Sequence, residues 1–203
     1  MVDSARDRIL SRIRSARVEA IAAPSLAFEP TRYPNKRARF EQMVVAAAGK
    51  VIDASGRRLE DVLAEIPEHA AARTRCYDLP KFGLEDRVDE RFRSDADHLL
   101  DFALIRGEFG VAENGAIWVD DRHTRDRAVW FLAEHLAVVL DPEHIVDTMH
   151  DAYAKYPRDC ELAHGRFGMF LCGPSKTGDI EQALVIGAHG PRTLTVILER
   201  GGR

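Results

Sequence analysis

The order of apolar and polar residues predicts an α/β protein with three layers, α/β/α, built on a mainly parallel sheet. Two observations carry that prediction. Short apolar runs with β-branched content recur through the second half of the chain: FALI (102–105), AIWV (116–119), LAVVL (136–140), FGMFLC (167–172) and LTVIL (194–198). They are nearly continuous rather than alternating, which is how strands read when a sheet is covered on both faces. Stretches with helical spacing lie between them, at 125–134, at 143–155 beginning from Pro142-Glu143, and at 177–186. Strand–helix alternation of this kind builds parallel sheets with helices on both sides. For the AIWV-like runs, an antiparallel hairpin with a neighbour is the alternative.

Ahead of that half, Ser4 is placed to cap a first helix, with Ile9, Ile13, Ala16 and Ala20 at helical spacing. Three prolines between Pro24 and Pro34 mark a connector. Asn35 reads as the cap of a second helix carrying Phe40, Met43, Val44 and Ala47 on one side, and Gly49 stops it. Lys50-Val51-Ile52 is a short strand. Residues 55–66 give a third helix with Leu59, Val62, Leu63 and Ile66 inward. Residues 67–97 are polar and charge-mixed, and read as a solvated loop with a short helix. The division is a helix and connector over 1–34 and one α/β domain over 35–203.

Composition narrows the function. With 203 residues, 45% of them apolar, the chain buries a core without staples. The net charge of −4 gives no pull towards nucleic acid or an anionic membrane. No apolar run is long enough to span a bilayer, and the charged N-terminus lacks the apolar core of a secretory signal, so the expected compartment is the cytoplasm. The three cysteines, Cys76, Cys160 and Cys172, form no C-x-x-C pair, so the chain holds no zinc ribbon or iron–sulfur cluster of its own. No G-x-G-x-x-G is present, which argues against a nicotinamide-dependent dehydrogenase.

Three stretches carry candidate chemistry. In GPSKTGDIE (173–181), Gly173 and Pro174 shape a turn placed at the carboxyl end of a strand, where parallel sheets hold ligands. Ser175 and Thr177 offer hydroxyls at the start of the next helix, whose N–H groups would hold an anion with Lys176 adding charge. The competing reading is a plain capped helix, with Thr177 as cap and Asp179 and Glu181 in its first turn. The pattern is not a P-loop, because the Lys precedes Gly178. In GVAENGAIWV (110–119), Glu113-Asn114-Gly115 presents an acid on a tight turn, and Asn-Gly alone also makes an ordinary hairpin turn. In GAHGPR (187–192), His189 is a candidate base and Arg192 a candidate clamp for a carboxylate or phosphate, against the plainer reading of a Gly-Pro turn. No ligand spacing asks for a metal.

AENGAI followed by GPSKTGDIEQALVIGAHGPRTLTVIL resembles the lactate-utilisation protein C family, also called the LUD-domain family. The resemblance is strongest from about 101 to 198. Gly178 stands where the family usually has Ala, and Asn114 where it has Thr. The resemblance implies the fold shared by coenzyme A transferases, ribose-5-phosphate isomerases and glucosamine-6-phosphate deaminases (NagB/RpiA/CoA transferase-like). It also implies a role in oxidising L-lactate to pyruvate beside companion subunits that carry the iron–sulfur clusters, with no cofactor on this chain. In that role Lys176 and Arg192 face a small carboxylate, Asn114, Gly115, Gly173, Ser175 and Thr177 line the wall, and His189 accepts a proton. Glu113-Asn114-Gly115 is also similar to the turn that presents the nucleophilic glutamate of the coenzyme A transferases. Three readings therefore compete: a non-redox subunit of a lactate-oxidising complex, a transferase with Glu113 as nucleophile, and a scaffold that has lost its chemistry. Self-association is left open.

Overall fold

A computed structural model describes residues 4–16, 21–22, 29–79, 100–122, 124, 126–155, 167–178 and 184–200. Five strands form the central sheet: β1 (Lys50–Asp53), β2 (Arg75–Tyr77), β3 (Leu100–Arg106), β6 (Ala133–Leu140) and β11 (Thr193–Leu198). Their order is β1-β11-β6-β3-β2, and every pairing is parallel. The expected α/β class with a mainly parallel sheet flanked by helices is the one observed.

Parallel pairing needs both sheet faces covered, and two helix sets with a second sheet do this. On one face, Ile52, Phe102, Leu104, Ala137, Val139 and Ile197 meet Leu59, Val62 and Leu63 of α3 (Leu59–Ala64) and Ile66, just before α4 (Pro67–Ala71). On the other, Ala103, Ile105, Leu136, Val138, Leu194 and Val196 meet Phe40 and Val44 of α2 (Lys36–Ala46) and Trp130 of α5 (Val129–Leu132). Phe40 and Val44 are fully buried, each contributing roughly 1.5–3 kcal/mol. The Asn35 side chain accepts from the Ala38 N–H at 3.0 Å, the cap that starts α2 where the sequence places it.

The second sheet has the order β7-β4-β5-β8, from β4 (Phe109–Val111), β5 (Ile117–Asp120), β7 (Ile145–Val146) and β8 (Gly168–Leu171). β5 is antiparallel to both β4 and β8, so the hairpin alternative for AIWV is the one realised, and FGMFLC also lies in this sheet. Gly107 makes the switch from β3 to β4 possible, because a Cβ there would stand 2.6 Å from Ile117 Cγ2. Outside this sheet α6 (Met149–Lys155) buries Ala152 against it.

Several expected elements change. The helix expected over 125–134 is the single turn α5, because residues 133–135 are drawn into the middle of the central sheet by pairing with both β3 and β11. The helix expected over 143–155 is broken by β7, where Ile145 and Val146 pair with Gly110 and Val111, and it resumes at Met149. The third helix begins at Leu59 rather than at residue 55. The polar 67–97 span contributes α4 and the edge strand β2, and its residues 80–97 lie outside the described set. At the described ends of the helix expected over 177–186, β9 (Lys176–Thr177) instead pairs antiparallel with β10 (Val185–Ile186) in a ribbon, and residues 179–183 lie outside the described set. α1 (Ala5–Ser15) is capped by Ser4 as expected, yet it buries no residue. No helix among the described residues is long and apolar enough to cross a membrane.

Candidate functional site

The ENG turn closes between β4 and β5. Asn114 Oδ1 accepts from the Ala116 N–H at 3.0 Å, and the Gly115 N–H donates to the Val111 carbonyl at 2.9 Å. Gly115 has φ +74°, and a Cβ there would lie 2.7 Å from the Val44 nitrogen, so the turn can approach α2 only with glycine. Glu113 is exposed. Its Oε2 accepts from the Met149 N–H at 2.8 Å, capping the first turn of α6, and its own N–H donates to the Asp147 carbonyl at 2.9 Å. The same helix start is tied by Thr148 and Asp151, whose side chains and N–H groups bond reciprocally, and by Arg32, 2.8 Å from Asp151. Burial alone would raise the Asp151 carboxyl, but the Thr148 and Arg32 hydrogen bonds outweigh it and hold the group below its ordinary value.

The GPSK turn packs against the carboxyl end of α2. Gly173 has φ +70°, and a Cβ there would collide with the Ala47 carbonyl oxygen. Lys176 Nζ donates to that same oxygen at 2.5 Å. The ammonium therefore satisfies a carbonyl at the negative end of α2. The Cys172 thiol donates to the Asn114 carbonyl at 3.3 Å, joining this turn to ENG.

The GAHGPR segment is laced to the GPSK turn through Ser175. The Ser175 N–H donates to the Pro191 carbonyl and the Gly187 N–H to the Ser175 carbonyl, both at 2.9 Å. Ser175 is half-buried beside Gly190, where a Cβ would lie 3.4 Å from its Oγ. Arg192 is anchored twice to Glu134: its N–H donates to the Glu134 carbonyl at 2.7 Å, and Nη1 meets Glu134 Oε1 at 2.9 Å. His189 is exposed, and its ring has no hydrogen-bond partner among the described residues.

Three stretches scattered over 113–192 thus meet in space, at the amino edge of the central sheet. Ala47 lies three residues before β1, Pro191 two before β11, and Glu134 near the start of β6. The expected placement of GPSK at the carboxyl end of a parallel strand is corrected accordingly, since β8, the strand before it, pairs antiparallel with β5 in the second, mixed sheet. Of the two expected hydroxyl donors, Thr177 lies in the β9–β10 ribbon, and Ser175 engages its backbone with a neighbouring loop. Asp179 and Glu181 lie outside the described residues. Sequence reasoning missed Glu134 and the Ala47 carbonyl. Glu134 had a signal, because each residue lies close before an apolar run, and pairing Thr193 with His135 sets Arg192 beside Glu134. Among the described residues no three metal-ligating side chains cluster.

Fold and site together define an α/β protein whose parallel sheet carries three interlocked polar turns at its amino edge. The chain belongs to the LUD domain family, whose model matches residues 3–198. It is similar to lactate utilization protein C of Bacillus pumilus (strain SAFR-032), 30% identical over 92 residues, covering 44% of this chain and 38% of that protein. The corresponding protein of Shouchella clausii (strain KSM-K16) is 27% identical over 115 residues, covering 55% of this chain and 49% of the relative. The matched segment is therefore less than half the length of these curated relatives. Among solved structures, a DUF162 family protein from Deinococcus radiodurans shares the fold with a TM-score of 0.60 at 19% identity, over 84% of this chain and 99% of that one.

Proposed function

We propose that this chain serves lactate utilisation as a non-redox subunit, working with companion subunits whose iron–sulfur clusters take the electrons. L-lactate loses two electrons and two protons to give pyruvate, and the sequence offers no cysteine pairs for an electron carrier of its own. The names of the relatives support the lactate role. The observation that carries a binding role is the interlocking of the three turns through Cys172–Asn114, Ser175–Pro191 and Gly187–Ser175. Residues so far apart in sequence are held as one wall. In this reading a small carboxylate meets Arg192 and the Ser175 hydroxyl, and His189 accepts the proton. Asn114, Gly115, Gly173 and Lys176 hold the wall in place.

The transferase alternative needs a partly desolvated nucleophilic carboxylate. Glu113 is exposed and already caps α6, so the geometry lends that alternative no support. The test is reconstitution with purified iron–sulfur companions, following L-lactate-dependent dye reduction. The rate is expected to depend on this chain and to fall at least about tenfold, or roughly 1.4 kcal/mol, with His189→Asn or Arg192→Gln. Companions that work equally well without the chain would refute the catalytic form of the proposal. A chain that binds them without changing the rate would be a scaffold.

A further inference from the structure

We infer that Glu134 regulates this site, holding Arg192 until a ligand carboxylate takes its place; the inference rests on the reading that Arg192 receives a small carboxylate. The Arg192 side chain is paired with a carboxylate already, at 2.9 Å, so an incoming one meets a guanidinium whose charge is answered. The pair is built to be exchanged. Both side chains reach solvent, Arg192 at 65% and Glu134 at 31% exposure, and an ion pair in that setting is worth little. The backbone hydrogen bond from Arg192 N–H to the Glu134 carbonyl is independent of the carboxylate, so the loop stays anchored when the side chains part. Gly187 has φ +80°, and a Cβ there would collide with Arg192 Cγ. The arginine stem therefore lies across a residue without a side chain. Glu134 and a ligand carboxylate compete for the same donors, and the internal group sets a threshold that a ligand has to exceed.

The experiment is calorimetric titration of the full chain with sodium L-lactate and with sodium pyruvate. Glu134→Gln keeps the backbone anchor and a similar shape, and is expected to tighten binding about two- to fivefold, the range of an exposed ion pair. Glu134→Asp, with its shorter reach, is expected to tighten it less. Arg192→Gln is expected to weaken binding, and Glu134→Gln made in that background is expected to change nothing. A merely structural role for Glu134 predicts the opposite sign, weaker binding together with a lower melting temperature. The inference is overturned if Glu134→Gln leaves affinity unchanged or weakens it while Arg192→Gln still weakens it, and in that case the carboxylate reading survives. If neither the wild type nor Glu134→Gln binds lactate or pyruvate, the carboxylate reading fails and takes the inference with it.

Discussion

Gly173 is the residue on which the site's shape depends most directly. It combines a left-handed backbone with a neighbour, the Ala47 carbonyl, that cannot move without unwinding the end of α2. Gly56 makes a useful contrast, with φ +74° and nothing within 4 Å of a Cβ. Gly56→Ala is expected to cost only the conformational term, about 1–2 kcal/mol. Gly173→Ala adds a backbone collision and is expected to cost more than Gly56→Ala in urea unfolding, with equal losses counting against the packing argument. At this scale the sequence was partly legible. It marked Gly173 as a turn position open to an unusual conformation, and Lys176 and Arg192 as candidate ligand contacts. It did not show that both cations are already engaged, because Ala47 and Glu134 are 129 and 58 residues away along the chain.

Elements were readable where their own residues decide them. α2 has its Asn35 cap and its buried Phe40 and Val44, and β11 and β3 are continuous apolar runs. Elements decided by distant pairing were not. Lys176-Thr177 and Val185-Ile186 carry no strand signal strong enough to beat a helical spacing until they lie against each other. The short β2 has Cys76 as its one buried residue, so nothing local distinguishes it from a loop. The turn after β1 gives a prediction on this scale. The Asp53 carboxyl is held at about 2, well below its ordinary value, by hydrogen bonds from the Ser55 side chain and backbone and then by Arg37. Because the folded value is depressed, its contribution to stability is present above the unfolded value, near 3.8, and is lost as pH falls through about 2. Asp53 is half exposed, so solvent screens much of the effect. Urea unfolding across that window is expected to show a shallower acid limb for Asp53→Asn than for wild type. A limb of unchanged slope would mean that Asp53 is no better stabilised in the native state than in the unfolded chain.

For the whole molecule, fold class was the most legible property, since strand–helix alternation survives many local errors of boundary. The position of the site was not, because the amino-edge location depends on which sheet receives β8. The layout also separates what supports the body from what does not. α1 leaves Ile9 and Ile13 exposed and contributes nothing to the clusters that hold the two sheets together. A chain lacking residues 4–15 is expected to melt within about 2 °C of the full one, as for surface changes worth under about 0.5 kcal/mol. A larger drop in calorimetry would show that α1 is covered in solution.

The strand order has a further consequence, for the protein as it is made. β1 is complete at Asp53, yet among the central strands it pairs only with β11, which ends at Leu198. At 5–20 residues per second a ribosome needs on the order of ten seconds to supply that strand. Throughout that interval β1 offers an unpaired edge, while β2, β3 and β6 can already assemble in sequence. The nascent chain therefore stays open between β1 and β6 until Leu198 has been made, and in that interval unpaired strand edges lie at Lys50–Asp53 and along β6.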